Sequence, residues 1–287
     1  MKTFSTRMSL RVAAWSLAAV ALSASWGVSR ADADESRRQW VATWTASQQA
    51  PEPPIIGANP TQFSNQTIRQ IVHVSIGGST VRVRLSNEFS RTPLRVGEVR
   101  IAHQLAAASI VPGSDRLVTF GGRSSVTIPA GAPLLSDPIA VAVEPLSNMV
   151  VSLYLPDTVQ TSTFHSLGVQ TTYVSSPGNF TAAVTTPIAA TTTSWFFLSG
   201  LSVLADKRGA AVVAIGDSIT DGFASSVDAN RRWPNLLAAR LQARADLQHV
   251  AVVDHGISGN RTLTISSAPM RWPALTATSR ARQVHGG

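Results

Sequence analysis

The stretch Ala211-Val-Val-Ala-Ile-Gly-Asp-Ser-Ile-Thr-Asp-Gly222 decides the fold of the C-terminal part of this chain. Its first five residues are small or branched and apolar. They predict a buried strand covered on both faces, because such a strand has no polar alternation. Gly216 ends the apolar run, and the polar residues Asp217, Ser218 and Thr220 follow it. The pattern therefore predicts a strand, a sharp turn and the start of a helix.

Ser218 lies where the predicted strand gives way to the helix. Open α/β sheets bind their ligands beyond the carboxyl ends of the strands. The unpaired N–H groups at the start of a helix also favour developing negative charge. The position therefore suits a nucleophilic hydroxyl. The alternative is a plain turn in which Asp217 and Ser218 only cap the helix.

A second block with the same character follows at the distance of one strand–helix–strand unit. It is Gly256-Ile-Ser-Gly-Asn260, preceded by the apolar run Val250-Ala-Val-Val253. Together with Gly216-Asp-Ser-Ile-Thr-Asp-Gly222, it resembles the first two blocks of the SGNH (GDSL-type) hydrolases, a superfamily of serine esterases and lipases. The order and the spacing of the two blocks make this resemblance specific.

The resemblance implies a serine esterase with an α/β, flavodoxin-like parallel sheet. In it, Ser218 would be the nucleophile, and the backbone N–H groups of Ser218 and Gly259 would bind the oxyanion. A glycine suits that role because its N–H can approach a substrate closely; the alternative for Gly259 is a plain turn glycine. The substrates implied are acyl or acetyl esters of lipids or polysaccharides, and neither a metal nor an organic cofactor is needed.

Two later blocks of the resembled family are not found after Asn260. They carry an Asn donor and an Asp-x-x-His pair that serves as acid and base. The segment Thr264–Gly287 has no acidic residue and no strand-like run, and we interpret it as the product of a frameshift near Leu263–Ser267. We therefore expect a truncated hydrolase domain with little or no esterase activity.

The chain from Trp40 to about Asp206 has the pattern of an all-β domain of the sandwich or jelly-roll kind. Two strands, Ile68–Ile76 and Thr80–Leu85, flank Gly77-Gly78-Ser79, which predicts a hairpin. Alternation in the second strand predicts that its valines face the core and its arginines do not. The segment Gln170–Thr193 is rich in Thr, Ser, Ala and Pro and predicts a long surface loop with one short strand.

This half of the chain also resembles the β domain that precedes the hydrolase domain in a subset of exported bacterial SGNH proteins. The resemblance rests on Trp40-Val-Ala-Thr-Trp44, Arg69-Gln-Ile-Val-His-Val-Ser-Ile-Gly-Gly78 and Val81-Arg-Val-Arg-Leu-Ser-Asn87.

The polar turn Asp206-Lys-Arg-Gly209 predicts a boundary between the two parts. Beyond the motif, Arg232–Leu247 predicts a helix with Pro234 in its first turn and an apolar stripe of Trp233, Leu236, Leu237 and Leu241. A strand at 249–253 follows. The sequence thus divides into a leader (1–33), a β-sandwich domain (34–206), the start of a hydrolase domain (207–263) and an atypical tail (264–287).

The leader has the layout of a secretory signal peptide. Three basic residues precede the apolar stretch Val12–Val28, and Ala31-Asp-Ala33 offers small residues for cleavage. The alternative is an uncleaved membrane anchor, for which the stretch is short. We expect an exported protein, extracellular or periplasmic, with no stable membrane span after cleavage.

Composition excludes several classes of protein. The 287 residues contain no cysteine, so neither a disulfide framework nor a thiol nucleophile exists. The net charge of +8 comes from the two ends, because residues 34–260 hold 16 basic and 15 acidic side chains. A nucleic-acid partner needs clustered Lys and Arg and is not expected. Histidine and acidic residues show no metal-ligand spacing.

Other histidines and tryptophans leave alternatives open. His255, beside Asp254, is the nearest substitute for a missing base, although neighbouring residues on an extended chain point apart. His249 would begin a strand, and His285 belongs to the tail. We expect structural roles for three further histidines, His73, His103 and His165. A different function, a secreted module that binds a carbohydrate or a surface, would place a sugar on tryptophans: Trp40, Trp44, Trp195 and Trp233.

Overall fold

The computed structural model describes residues 38–51 and 59–260. The chain forms two compact units, Met1–Gln39 and Trp40–Gly287, and the first is described only at Arg38 and Gln39. The predicted signal peptide and the tail at 264–287 therefore lie outside the described residues. No helix within the described ranges is both long and apolar enough to cross a membrane.

Strands dominate the described part of the chain. Those before the motif are β1 (Arg38–Thr45), β2 (Gln62–Phe63), β3 (Gln66–His73), β4 (Gly78–Ser86), β5 (Leu94–Val96), β6 (Glu98–Ala106), β7 (Ser109–Ile110), β8 (Arg116–Val118), β9 (Val126–Ile128), β10 (Pro133–Leu135), β11 (Ile139–Val143), β12 (Asn148–Leu155), β13 (Val159–Gln160), β14 (Phe164–His165), β15 (Thr172–Pro177), β16 (Ile188–Thr192), β17 (Trp195–Phe196) and β18 (Leu198–Asp206). The elements after them are β19 (Ala210–Gly216), the one-turn helix α1 (Ser218–Asp221), the helix α2 (Trp233–Gln242) and β20 (Val250–Gly256).

Two large sheets enclose the main hydrophobic core. One has five strands in the order β1-β18-β4-β10, with β11 also paired to β4. The other has seven in the order β16-β15-β3-β12-β6-β7, with β8 also paired to β6. Alternate residues Val81, Val83 and Leu85 of β4 are fully buried and share one cluster with Ile68 and Val72 of β3. The alternation predicted for β4 is confirmed, and the arrangement fits a β-sandwich.

The predicted hairpin between β3 and β4 is wrong, because the two strands belong to different sheets. β3 is paired on both sides, with β12 and with β15, so it has no free edge for β4. The chain instead crosses to the other sheet, and the Ser75 N–H donates to the carbonyl of Thr43 on the way. A side chain at Gly77 would collide with the carbonyl of Val143. This glycine therefore serves a close backbone approach rather than a tight turn.

The segment Gln170–Thr193 contains two strands where the sequence predicted one. β15 and β16 pair antiparallel, and β15 also joins the seven-stranded sheet through β3. Thr172 and Val174 are buried there. A run rich in threonine suits a strand as well as a loop, because threonine is β-branched.

After the sandwich, β19 and β20 form a parallel pair. Their register runs from Ala210 opposite Val250 to Gly216 opposite Gly256. α2 lies between them in sequence, so the predicted order of strand, helix and strand is confirmed. The wider flavodoxin-like sheet stays a prediction, because this pair forms a two-stranded sheet in the described residues.

The prediction that β19 is covered on both faces is wrong for the described structure. Ala214 is its one buried residue, whereas Val212, Val213 and Ile215 are 40 to 44% exposed. Hydrophobicity predicts a strand, but burial requires neighbours. In the part of the chain described here, β19 pairs with β20 alone.

β20 is buried because it lies against the β-sandwich. Ala251, Val252 and Val253 are at most 6% exposed, and Ala251 belongs to the main core cluster. Side chains of the sandwich also satisfy the backbone of β20. The Val252 N–H donates to Ser75 Oγ over 2.7 Å, and Thr45 Oγ1 donates to the carbonyl of Asp254 over 2.9 Å.

The helix α2 is shorter than predicted, and it buries a different face. It spans Trp233–Gln242, with Pro234 in its first turn as expected. Its buried residues are Pro234 and Ala238, one helical turn apart, whereas Trp233 and Leu236 are 42 and 47% exposed. The predicted apolar stripe is therefore wrong. The buried side chains of α2 are the small ones, and two of its large side chains are exposed.

Candidate active site

Ser218 is the first residue of α1 and directly follows the turn at the end of β19. Asp217 caps this helix, because its side chain accepts a hydrogen bond from the Ile219 N–H over 3.0 Å. The turn closes at Gly222, whose φ of 94° is left-handed. Ser218 itself is half-buried. Its hydroxyl is therefore neither enclosed nor fully exposed.

Two glycines in register let this turn approach the end of β20. A Cβ at Gly216 would collide with the Thr220 side chain, and one at Gly256 would collide with the backbone of Asp221. Both positions thus require glycine for packing. Ser218 follows Gly216, and Gly259 follows Gly256, so both lie beyond the same edge of the parallel pair.

The two donors expected at an oxyanion site have no hydrogen-bond acceptor among the described residues. Within the described residues, neither the Ser218 N–H nor the Gly259 N–H donates a hydrogen bond, and the Ser218 hydroxyl makes none. Gly259 is exposed, has a φ of 82° and would leave a Cβ in open space. Its conformation favours glycine because positive φ is costly for other residues. The roles assigned to the two residues stay predictions.

Asp221 links the two motif blocks through hydrogen bonds, and no role was predicted for it from the sequence. It lies on α1 with Ser218 and is 1% exposed. One carboxylate oxygen, Oδ2, accepts from both the N–H and the hydroxyl of Ser258, each over 2.8 Å. The other, Oδ1, lies 2.8 Å from Nε2 of His165. The sequence signal that could have identified Asp221 is its position in the first motif block, three residues after Ser218.

His165 reaches Asp221 from the β-sandwich. It lies on β14 and is 2% exposed, and its Nδ1 is 2.7 Å from the carbonyl of Ser47. Burial alone would lower the pKa of His165, but the charge and the hydrogen bond of Asp221 outweigh it and raise that pKa. The expectation of a structural histidine did not include this ion pair. No sequence signal links residues 165 and 221, because the fold alone brings them together.

Arg232 and Asp254 form a second buried ion pair beside the first. Arg232 Nη1 lies 3.8 Å from Asp254 Oδ2, and the guanidinium lies 5.0 Å from the ring centre of Trp195. Burial raises the pKa of Asp254 to about 6, although the charge of Arg232 opposes the shift. Burial likewise lowers the pKa of Arg232. A cavity of about 30 Å³ adjoins both side chains.

Among the described residues, none of the remaining histidines forms a hydrogen bond with Ser218. His255 Nδ1 lies 3.3 Å from Ser47 Oγ, and burial lowers the pKa of His255 to about 4. His73 Nδ1 lies 2.7 Å from Asn148 Oδ1. His249 precedes β20 instead of beginning it. His103 lies on β6, and His285 lies outside the described residues.

The tryptophans divide between the core and the surface. Trp44 and Trp195 are 7 and 2% exposed and pack edge to face, with ring centres 4.9 Å apart. They are core residues and do not form a sugar-binding surface. Trp40 stacks beneath the guanidinium of Arg82, and Trp233 is 42% exposed. The described residues contain no group of three or more His, Cys, Asp or Glu that could hold a metal ion.

Comparison with known proteins agrees with the two motif blocks. Residues 214–284, which are 71 of the 287, match the family model described as "GDSL-like Lipase/Acylhydrolase family". The matched stretch includes most of the 264–287 tail, whose out-of-frame origin stays a prediction. No curated protein matches the chain. The C-terminal part of the chain is therefore similar in sequence to GDSL-like lipases and acylhydrolases.

Proposed function

We propose that this protein is a serine ester hydrolase in which the hydroxyl of Ser218 attacks the ester carbonyl. One observation carries the proposal. The register of Gly216 with Gly256 brings Ser218 and Gly259 beyond the same edge of the parallel pair, and each keeps a backbone N–H free of protein partners in the described residues. Two such donors are what a tetrahedral oxyanion requires.

The proposed reaction has two steps. Ser218 Oγ bonds to the carbonyl carbon, the ester C–O bond breaks, and the alcohol leaves with the proton that the hydroxyl gave up. Water then cleaves the acyl-serine and releases the carboxylic acid. A general base must carry the proton. Because no side chain among the described residues hydrogen-bonds the Ser218 hydroxyl, we expect slow attack by this chain.

The proposal includes finer expectations drawn from the sequence. The substrates are acyl or acetyl esters of lipids or polysaccharides, the protein is exported, and the parallel pair belongs to a flavodoxin-like sheet. The two motif blocks and the family match support these expectations through resemblance. The other function considered, a carbohydrate-binding module, loses two of its aromatic residues to the core, Trp44 and Trp195.

Covalent labelling tests the proposal without requiring turnover. The full chain is incubated in alkaline buffer with an alkyl fluorophosphonate, whose phosphorus accepts Ser218 Oγ as fluoride leaves and hydroxide takes the proton. We expect a single adduct, located at Ser218 by mass spectrometry. It should be absent from Ser218→Ala and retained in Ser226→Ala, which removes an exposed hydroxyl eight residues further along the chain. Equal labelling of Ser218→Ala would refute the assignment of the nucleophile.

A further inference from the structure

The carboxylate of Asp221 connects three parts of the molecule. It belongs to α1, which begins with Ser218, and it accepts two hydrogen bonds from Ser258, the neighbour of Gly259. Its other oxygen contacts His165 of the β-sandwich. A carboxylate that is 1% exposed must have such partners, because an unpaired buried charge is strongly disfavoured.

The hydrogen-bond partners show which nitrogen of His165 must carry a hydrogen. The carbonyl of Ser47 can only accept, so Nδ1 carries one. When Asp221 is ionised it too can only accept, so Nε2 then carries a hydrogen and donates it to Asp221. Asp221 also raises the pKa of His165. Arg232 from the N-cap of α2 opposes it, and Asp254 and His255 of β20 are two further titratable groups that interact with His165.

The β-sandwich holds His165 in place independently of Asp221. His165 is paired with Trp195 in the β14–β17 ladder. The two rings stack with centres 5.6 Å apart and planes 29° from parallel. Trp195 itself is fixed by a hydrogen bond from its Nε1 to the carbonyl of Ile71 over 2.9 Å. The Nε2–H of His165 is therefore a rigid donor directed at α1.

Gly259 depends on its neighbours for its position. It is exposed, its N–H has no partner among the described residues, and a Cβ there would touch nothing. Asn260 is held on one side, since its N–H donates to the carbonyl of Ile257 and its Nδ2 lies 3.4 Å from the carbonyl of Gly216. Ser258 is held on the other side by Asp221, at both its N–H and its hydroxyl. The peptide that carries the Gly259 N–H joins Ser258 to Gly259, so the Asp221 anchor acts directly on the direction of that N–H.

We propose that His165 of the β-sandwich is a positioning residue of the hydrolase site, acting through Asp221 on the Ser258–Gly259 loop. This inference rests on the proposed function. The β-sandwich domain then contributes to the site, because the side chain that orders the Ser258–Gly259 loop through Asp221 comes from residue 165. His165 itself does not touch the substrate.

Three variants of the full chain test this role. His165→Leu removes the donor to Asp221, whereas His165→Gln keeps an N–H that can replace Nε2. Thr45→Val is the matched control, because it removes the bond to the Asp254 carbonyl between the sandwich and β20 but leaves Asp221 untouched. Two quantities are measured, the rate of fluorophosphonate labelling at Ser218 and the hydrogen exchange of the Ser258 amide.

We expect His165→Leu to slow labelling about 10- to 100-fold, since a small displacement of a catalytic group has effects of this size on reaction rate. Exchange at the Ser258 amide should become faster, because the carboxylate that accepts its hydrogen bond loses the support of His165. His165→Gln should recover most of both quantities, and Thr45→Val should match the wild type. If His165→Leu does not fold, His165→Asn takes its place, because its shorter amide overlays the Nδ1 position of histidine and leaves the Nε2 position facing Asp221 empty. Slower labelling and faster exchange in His165→Asn than in His165→Gln then support the role, and equal values in the two variants overturn it.

Two results would overturn the inference. One is a His165→Leu protein that folds and labels at the wild-type rate. The other is a His165→Gln protein that labels slowly while its Ser258 amide stays as protected as in the wild type. Failure of the proposed function looks different, because then the wild-type chain itself would carry no adduct at Ser218.

Discussion

The β-sandwich and the β19–β20 pair are both built from apolar strands, but they obtain their burial differently. The sandwich encloses its own core between two sheets. β20 is buried because it lies against that sandwich, whereas its register partner β19 is largely exposed in the described structure. Apolar sequence thus marks a strand, and the neighbours of that strand decide whether it is stabilised by burial.

The largest expected effect tests whether the sandwich is the stable half. Arg69 on β3 is fully buried, and its guanidinium donates to Ser152 Oγ and to several backbone carbonyls, including those of Ala108 and Ala183. Arg69→Met would leave these carbonyls unpaired and should lower the free energy of unfolding by about 3–5 kcal/mol. Denaturant unfolding measures the loss.

The matched control is Arg95→Met. Arg95 pairs with Asp157 on the surface, where both side chains are more than half exposed. Such a pair contributes about 1 kcal/mol or less. If both arginine variants lost the same stability, the sandwich would not depend on its buried guanidinium.

The next effect compares β19 and β20 directly. Val213 and Val253 are register partners, yet they are 40 and 2% exposed. Val253→Ala should cost about 2 kcal/mol of unfolding free energy, and Val213→Ala about 0.5 kcal/mol or less. Equal losses in thermal or denaturant unfolding would show that β19 is covered in solution, and the contrast between the strands would fail.

A pH-dependent effect is expected at His255, where β20 meets the sandwich. Burial lowers the pKa of His255 to about 4, so the unfolded chain binds its proton more readily. Its contribution to stability is complete above the unfolded pKa of about 6.5 and is lost as the pH falls towards 4. When the pH is lowered from neutral to about 5, the free energy of unfolding of His255→Gln should therefore fall by about 1–2 kcal/mol less than that of the wild type.

Asp254 acts in the opposite direction over much of the same range. Burial raises the pKa of Asp254 from 3.8 to about 6, so the folded chain holds this proton more tightly than the unfolded chain does. The free energy of unfolding therefore falls as the pH rises from 3.8 through about 6. The pH dependence of wild-type stability contains the contributions of both groups. The difference between the wild-type profile and the His255→Gln profile isolates the contribution of His255. Identical profiles for wild type and variant would contradict the lowered pKa.

The smallest effect asks whether two open loops respond alike. Gly113 in the sandwich and Gly259 after β20 have φ values of 73 and 82°, and a Cβ at either would meet nothing. Gly113→Ala and Gly259→Ala should each cost about 1 kcal/mol, through the left-handed backbone alone. A cost at Gly259 well below that at Gly113 in denaturant unfolding would mean that the Gly259 loop yields locally.

The predictions that succeeded depend on local signals. The strand before Ser218, its parallel partner (predicted at 249–253 and observed at Val250–Gly256) and the proline in the first turn of α2 follow from residues close together in sequence. The alternation of β4 succeeded for the same reason. The two motif blocks predicted which turns would meet, because the carboxyl ends of neighbouring parallel strands share an edge.

The predictions that failed depend on partners distant in sequence. A Gly-Gly-Ser turn suggests a hairpin, but β3 already had two neighbours, and the chain had to leave its sheet. The exposure of β19 and the buried face of α2 likewise depend on what lies beside them. The His165–Asp221 pair joins residues 56 apart and has no periodicity by which a sequence could reveal it.

The hydroxyls of Ser75 and Thr45 limit how the β19–β20 pair can be extended. By bonding the backbone of β20 from outside, they use hydrogen-bonding groups that another strand would require there. β20 is therefore a terminal strand, blocked by the sandwich. Any further strand of this sheet must pair with β19, so the sheet can gain strands on one side only.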